Sequence, residues 1–210
     1  MPHVVLLGDS IFDNGAYTNG DLDVVACLRA ILPSSWKATL CAVDGSTASH
    51  LPSQLPDVPR DATHLVISMG GNDALLNGDL LTLPVASSAE VLTRFHDRIQ
   101  WFEAEYRKSV RDALSLGRNT ALCTIYNGNL PPEQAVPARI ALMLFNDVIV
   151  RFAFERRLML IDLRLICVEP ADYANPIEPS THGARKIARA IARCVGALGE
   201  APGGTEVIAE

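Results

Sequence analysis

The chain has 210 residues, of which 49% are hydrophobic and 20% charged, and its formal net charge is −6. That is enough chain for one sizeable domain, at ~100–200 residues per domain, and too apolar a composition for a disordered protein. The acidic balance argues against non-specific binding to nucleic acid or to an anionic membrane.

In chain order, the first element is an apolar run over residues 4–7 that stops at Gly8-Asp9-Ser10. No basic region precedes it, and it is far shorter than a ~20-residue membrane span, so a cytoplasmic protein is expected. Residues 21–32 then place Leu22, Val25, Ala26, Leu28 and Leu32 along one helical side. A second apolar run, 38–43, ends in Asp44-Gly45-Ser46, and the proline-rich stretch 51–60 is expected to hold no regular element. The third run, 64–69, leads into Gly70-Gly71-Asn72-Asp73. A loop over 77–84 precedes a long helix over 88–116, with Val91, Phe95, Ile99, Phe102, Tyr106, Val110 and Leu114 at three- and four-residue steps. After it come a fourth run at 120–126, a loop at 130–137, a helix over 138–157, a fifth run at 158–163 and a last helix over 181–198.

Short, unbroken apolar runs fit strands covered on both faces, as in parallel sheets. Strands alternating with helices imply right-handed crossovers and a three-layer α/β/α sandwich around a five-stranded parallel sheet. One domain is expected over residues 1–199. Residues 200–210, with Pro202-Gly203-Gly204, read as a flexible tail. The five cysteines (Cys27, Cys41, Cys123, Cys167, Cys194) are odd in number and lack Cys-x-x-Cys spacing. They read as packing residues rather than a disulfide framework or a zinc site.

Three of the runs end in clusters of glycine and polar residues, which an open α/β sheet gathers at the carboxyl edge of its strands, where ligand sites form. Any one cluster is an ordinary turn. Three on one edge, one with a serine at a strand-to-helix turn, point to a site.

The stretch Gly8-Asp9-Ser10-Ile11-Phe12-Asp13-Asn14-Gly15 resembles the first block of the GDSL/SGNH hydrolases, esterases and lipases with a flavodoxin-like fold. Gly45 stands where that family's second block has its glycine, and Gly70-Gly71-Asn72-Asp73 matches its Gly-x-Asn-Asp block, so the resemblance runs over about residues 3–195. It implies Ser10 as nucleophile, with the backbone N–H groups of Ser10 and Gly45 and the Asn72 side-chain amide as oxyanion donors. Asp9 and Asp73 read as turn or helix caps.

The family's final block, Asp-x-x-His-Pro-Ser, aligns with Asn175-Pro176-Ile177-Glu178-Pro179-Ser180, which places Asn175 and Glu178 at the acid and base positions. Three readings stay open. His182 takes over as general base from the next turn of chain. Alternatively Glu178 accepts the Ser10 proton, with burial raising its pKa. In the third, the site binds a ligand but hydrolyses weakly or not at all. The expected activity is serine-dependent hydrolysis of a small or acetylated ester through an acyl-enzyme, since short loops suit a small substrate. A non-catalytic ligand-binding module is the alternative. The partner is a small-molecule ester, with no nucleic acid and no membrane. No phosphate loop and no Gly-x-Gly-x-x-Gly occurs, so no cofactor is expected. Asp44, Asp73 and Asp162 lack supporting ligands for a metal, and a metal-free site is expected.

Overall fold

Five strands form where the apolar runs lie: β1 (His3–Gly8), β2 (Lys37–Leu40), β3 (His64–Ser68), β4 (Asn119–Cys123) and β5 (Met159–Ile161). In the computed structural model, which describes residues 1–199, they pair throughout in parallel in the order β2-β1-β3-β4-β5. The tail expected over 200–210 lies outside the described residues. Strand order reverses at β1, which opens a crevice at the carboxyl ends of β1 and β3.

Among the described residues six α-helices connect and cover the strands: α1 (Val24–Ile31), α2 (Leu51–Gln54), α3 (Gly71–Leu76), α4 (Ser88–Leu114), α5 (Pro132–Arg156) and α6 (Thr181–Cys194). Successive side chains of a strand point to opposite faces. Val4 and Leu6 of β1 accordingly enter a core with Leu28 of α1 and Ile187 and Ile191 of α6. Val5 and Leu7 enter the other, with Phe102, Tyr106 and Val110 of α4 and Phe145 and Phe152 of α5. The result is the three-layer α/β/α sandwich. Burial on both faces is why β1 reads as an unbroken apolar run.

Two expectations are corrected. Stretch 51–60 holds α2 and a 3-10 turn, Leu55–Asp57. Pro52 sits in the first turn of α2, where a missing N–H costs no intrahelical bond. By the same logic α5 begins at Pro132, inside the expected loop, and carries Pro137 within it. The short helix α3 has no apolar period to reveal it. Among the described residues no helix is long and apolar enough to cross a membrane.

Candidate active site

The site is built on the end of β1. Gly8 adopts φ 135°, and a Cβ there would overlap the Ser68 carbonyl of β3, so only glycine fits. Both of its backbone groups are held by one side chain of α2: Gly8 N–H donates to Gln54 Oε1 at 2.8 Å, and Gln54 Nε2 donates to Gly8 O at 2.7 Å. Asp9 N–H donates to Ser68 O at 3.2 Å. The chain then turns tightly, with Phe12 and Asp13 N–H groups both donating to Asp9 O. Ser10 is thereby fixed on the sheet edge, 7% exposed.

Ser10 Oγ donates to Glu178 Oε1 at 2.9 Å. Glu178 comes from the loop before α6, and that loop is braced from several sides. Asn175 Oδ1 accepts from the Ile177 and Glu178 N–H groups, both at 2.9 Å. Tyr126 donates its hydroxyl to Ile177 O at 2.6 Å, and Asn14 Nδ2 donates to Pro179 O at 3.0 Å. Asn129 N–H donates to Pro176 O at 2.8 Å. Asn175 thus shapes the turn that carries Glu178, which is a structural task.

Glu178 is only 5% exposed. Its second oxygen, Oε2, is buried and has no hydrogen-bond partner among the described residues. Burial raises the Glu178 carboxyl above its usual range, against the lowering effect of the Ser10 hydrogen bond. Asp9 is buried too, and its Oδ1 accepts from Ile11 N–H at 3.1 Å. Burial pushes its pKa to about 8, with the charges of Glu178 and Asp73 adding to the rise. Burial likewise raises Asp73, whose Oδ2 accepts from Ala48 N–H at 2.9 Å and so ties the Gly45 loop to α3.

The three donor groups expected around an oxyanion lie on the turns after β1, β2 and β3. Among the described residues the Ser10 and Gly45 backbone N–H groups make no hydrogen bond. Gly45 adopts φ 76°, with open space where a Cβ would stand. Asn72 uses Nδ2 to donate to Ser46 O at 2.9 Å, which couples the second and third turns.

His182 lies elsewhere in its contacts. It is the second residue of α6, and its backbone N–H donates to the capping Ser180 Oγ at 3.1 Å. Its side chain is 55% exposed, and Nε2 stands 3.7 Å from carboxylate oxygens of both Glu169 and Asp172. The cation already seated there is Lys186, whose Nζ is 2.9 Å from Glu169 and 2.8 Å from Asp172. The structure thus brings Ser10 and Glu178 together and turns His182 to another cluster. Asp44, Asp73 and Asp162 have separate partners: the Tyr17 hydroxyl, Ala48 N–H, and Arg164 with the Thr124 hydroxyl.

A cavity of about 460 Å³ opens beside Ser10. It runs between α3, the 3-10 turn Gly78–Leu81 and the first half of α5, with Phe95, Ile125, Leu142 and Phe145 among its walls. Glu178 lines it together with Ser10 and Asn72. Two parts of the site escaped the sequence reading. Reading 130–137 as a loop hid the α5 wall, although the pair Pro131-Pro132 is a helix-start signal. Gln54 carried no local signal, because its importance lies in reaching Gly8 from 46 positions away.

The GDSL-like lipase/acylhydrolase family model matches residues 6–186. Comparison with curated proteins gives no match. Among solved structures, an extracellular lipase from Streptomyces rimosus is 14% identical, with a TM-score of 0.68 over 91% of this chain and 98% of its own. A catalytic mutant of an acetylxylan esterase from Geobacillus stearothermophilus is 20% identical, with a TM-score of 0.65 over 92% of this chain and 94% of its own. Phospholipase A1 from Streptomyces albidoflavus is 16% identical, with a TM-score of 0.64 over 90% and 97%. At such identities the likeness speaks for the fold.

Proposed function

Since the chain belongs to the GDSL-like lipase/acylhydrolase family, we propose that it is a serine-dependent hydrolase of small-molecule esters in which Ser10 is the nucleophile and Glu178 its proton acceptor. The observation that carries this reading is the 2.9 Å bond from Ser10 Oγ to Glu178 Oε1 at the wall of the cavity. In acylation, Ser10 Oγ attacks the ester carbonyl while its proton passes to Glu178. The oxyanion takes hydrogen bonds from the Ser10 and Gly45 N–H groups and from the Asn72 amide, each such donor supplying about 2.7–4 kcal/mol of barrier lowering. The tetrahedral intermediate then breaks to the acyl-enzyme, and protonated Glu178 returns its proton to the departing alcohol. Water attacks next. Glu178 takes a proton from it, and Ser10 leaves the acid product with its proton restored.

A carboxylate is a weak base at its ordinary pKa of ~4.3, and general-base catalysis works best when the pKa lies near the operating pH. The burial of Glu178 moves it in the required direction. His182 is exposed and turned to Glu169 and Asp172, and among the described residues it has no contact that supports it as the base. The absence of an imidazole from the Ser10 hydrogen bond favours a second reading, a ligand-binding site with weak turnover.

The test is p-nitrophenyl acetate turnover by wild type, Ser10→Ala, Glu178→Gln and His182→Ala, with mass spectrometry after treatment with an alkyl fluorophosphonate. Turnover lost in Ser10→Ala and Glu178→Gln but kept in His182→Ala is the expected pattern, with one phosphonyl group on Ser10. Turnover independent of Ser10 overturns the proposal, and phosphonylation without turnover favours the weak binder.

A further inference from the structure

We infer that Gln54 is a positioning residue for the reaction at Ser10: its buried amide sets the nucleophile turn and the two turns that carry Gly45 and Asn72 in one frame. This role rests on the reading of Ser10 as nucleophile.

The need for such a residue starts in the sheet. Strand β2 pairs with β1 only as far as Leu40 opposite Leu6, two residues short of Gly8. The ladder therefore offers no partner to the buried Gly8 N–H on that side, and a buried backbone donor without one is costly. Gln54 supplies the partner from α2, where Leu51 anchors the helix in the core. Gln54 itself is only 2% exposed.

An amide offers one acceptor and a donor with two protons, and here all three are used. Oε1 accepts from Gly8 N–H at 2.8 Å, while Nε2 donates to Gly8 O at 2.7 Å and to Ser46 Oγ at 3.3 Å. Gly8 lies two residues before the nucleophile. Ser46 follows Gly45 directly, and its carbonyl accepts from Asn72 Nδ2 at 2.9 Å. That bond engages one proton of the Asn72 amide, which orients the other. The path Gly8–Gln54–Ser46–Asn72 thus runs through the turns after β1, β2 and β3. Val43 N–H also donates to Gly8 O at 3.1 Å, and Ala48 N–H to Asp73 Oδ2 at 2.9 Å. The turns accordingly stay joined when Gln54 is replaced, and what changes is their setting relative to Ser10. Three donors and a nucleophile must converge on one carbonyl, where a misplacement of about 1 Å can cost about 10²-fold in rate.

The experiment reads chemistry and frame separately. For wild type, Gln54→Met, Gln54→Glu and Ser46→Ala, kcat and KM on p-nitrophenyl acetate are measured per folded molecule, beside urea unfolding and two-dimensional amide NMR. Gln54→Met removes all three bonds, Gln54→Glu keeps only the acceptor for Gly8 N–H, and Ser46→Ala cuts only the link to the second turn. In both Gln54 variants kcat is expected to fall about 10- to 100-fold with KM within about threefold, because misplaced donors weaken the transition state more than the bound ester. Ser46→Ala is expected to lose less in the same direction, and it serves should Gln54→Met fail to fold. The Gly45 N–H and Asn72 side-chain amide signals, which belong to groups not bonded to Gln54, are expected to shift in Gln54→Met. A lowered urea midpoint with kcat unchanged means that Gln54 only stabilises the fold, and it overturns the proposal. Constancy of both amide signals in folded variants overturns it as well. A wild type inert to the acetate and to an alkyl fluorophosphonate removes the Ser10 reading instead. The amide signals then decide the frame alone, their shift supporting it and their constancy overturning it.

Discussion

Ser10 and Glu178 stand 168 positions apart in the chain, and a 2.9 Å hydrogen bond joins the hydroxyl of one to the carboxylate of the other. Among the described residues no imidazole shares this bond, and on the proposed reading the carboxylate itself removes the serine proton. Glu178→Gln keeps the size and an acceptor oxygen but cannot take up a proton. For p-nitrophenyl acetate, kcat/KM is expected to fall about 10²–10⁴-fold, the usual share of a general base. Wild-type rates in this variant would remove Glu178 from the reaction.

The pH dependence carries the same signature. Only ionised Glu178 accepts a proton, and burial raises its pKa. The rate is therefore expected to climb with pH through an ionisation above the ~4.3 of an ordinary glutamate. A rate–pH profile of kcat/KM for wild type and Glu178→Gln checks this. The limb belongs to Glu178 only if it disappears with the substitution.

The contribution of the buried site carboxyls to stability moves the opposite way along the same axis. The carboxyl of Asp9 is raised by burial to about 8 in the folded protein, against ~3.9 in an unfolded chain. The folded state therefore holds this proton more tightly. Its stabilising effect is complete below about pH 4 and is lost as pH rises through about 8. Asp73 and Glu178, also raised, act in the same sense. Calorimetric melting temperatures between pH 5 and pH 9 are expected to decline less in Asp9→Asn than in wild type. Parallel declines would clear Asp9 of this role.

Backbone contacts near the Glu178 loop give a further test. A Cβ on Gly183, in the first turn of α6, would overlap the Asp172 carbonyl, and backbone cannot swing aside as a flexible side chain does. Gly183→Ala is expected to destabilise by about 1–3 kcal/mol, as overpacking does. Gly78→Ala meets open space and is expected to change stability by no more than about 1 kcal/mol. Urea unfolding of both variants decides the matter. Equal effects would mean that α6 accommodates the methyl by shifting.

What the sequence revealed of this molecule follows from how local each feature is. The strand β1 was legible because burial on both faces leaves its mark on every residue from Val4 to Leu7. The glycine clusters were legible because positive φ at Gly8, Gly45 and Gly70 selects one residue type. Helix α5 was misplaced at its start because proline reads as a breaker, although at a first helical position it removes a bond the helix never makes. Which of Glu178 and His182 contacts Ser10 was beyond reach for another reason. They are four residues apart, and the orientation that separates them is imposed by Asn14, Tyr126 and Asn129, residues from distant parts of the chain.

The brace around Glu178 has one more effect. The loop backbone that carries Glu178 is held by its own Asn175 turn and by three outside donors, to Pro176 O, Ile177 O and Pro179 O. In acid, the serine faces a neutral carboxylic acid, and the protons these buried carboxyls retain favour the folded state. Raising the pH restores the proposed base and removes part of that contribution, a trade between working and lasting set by buried Asp9, Asp73 and Glu178.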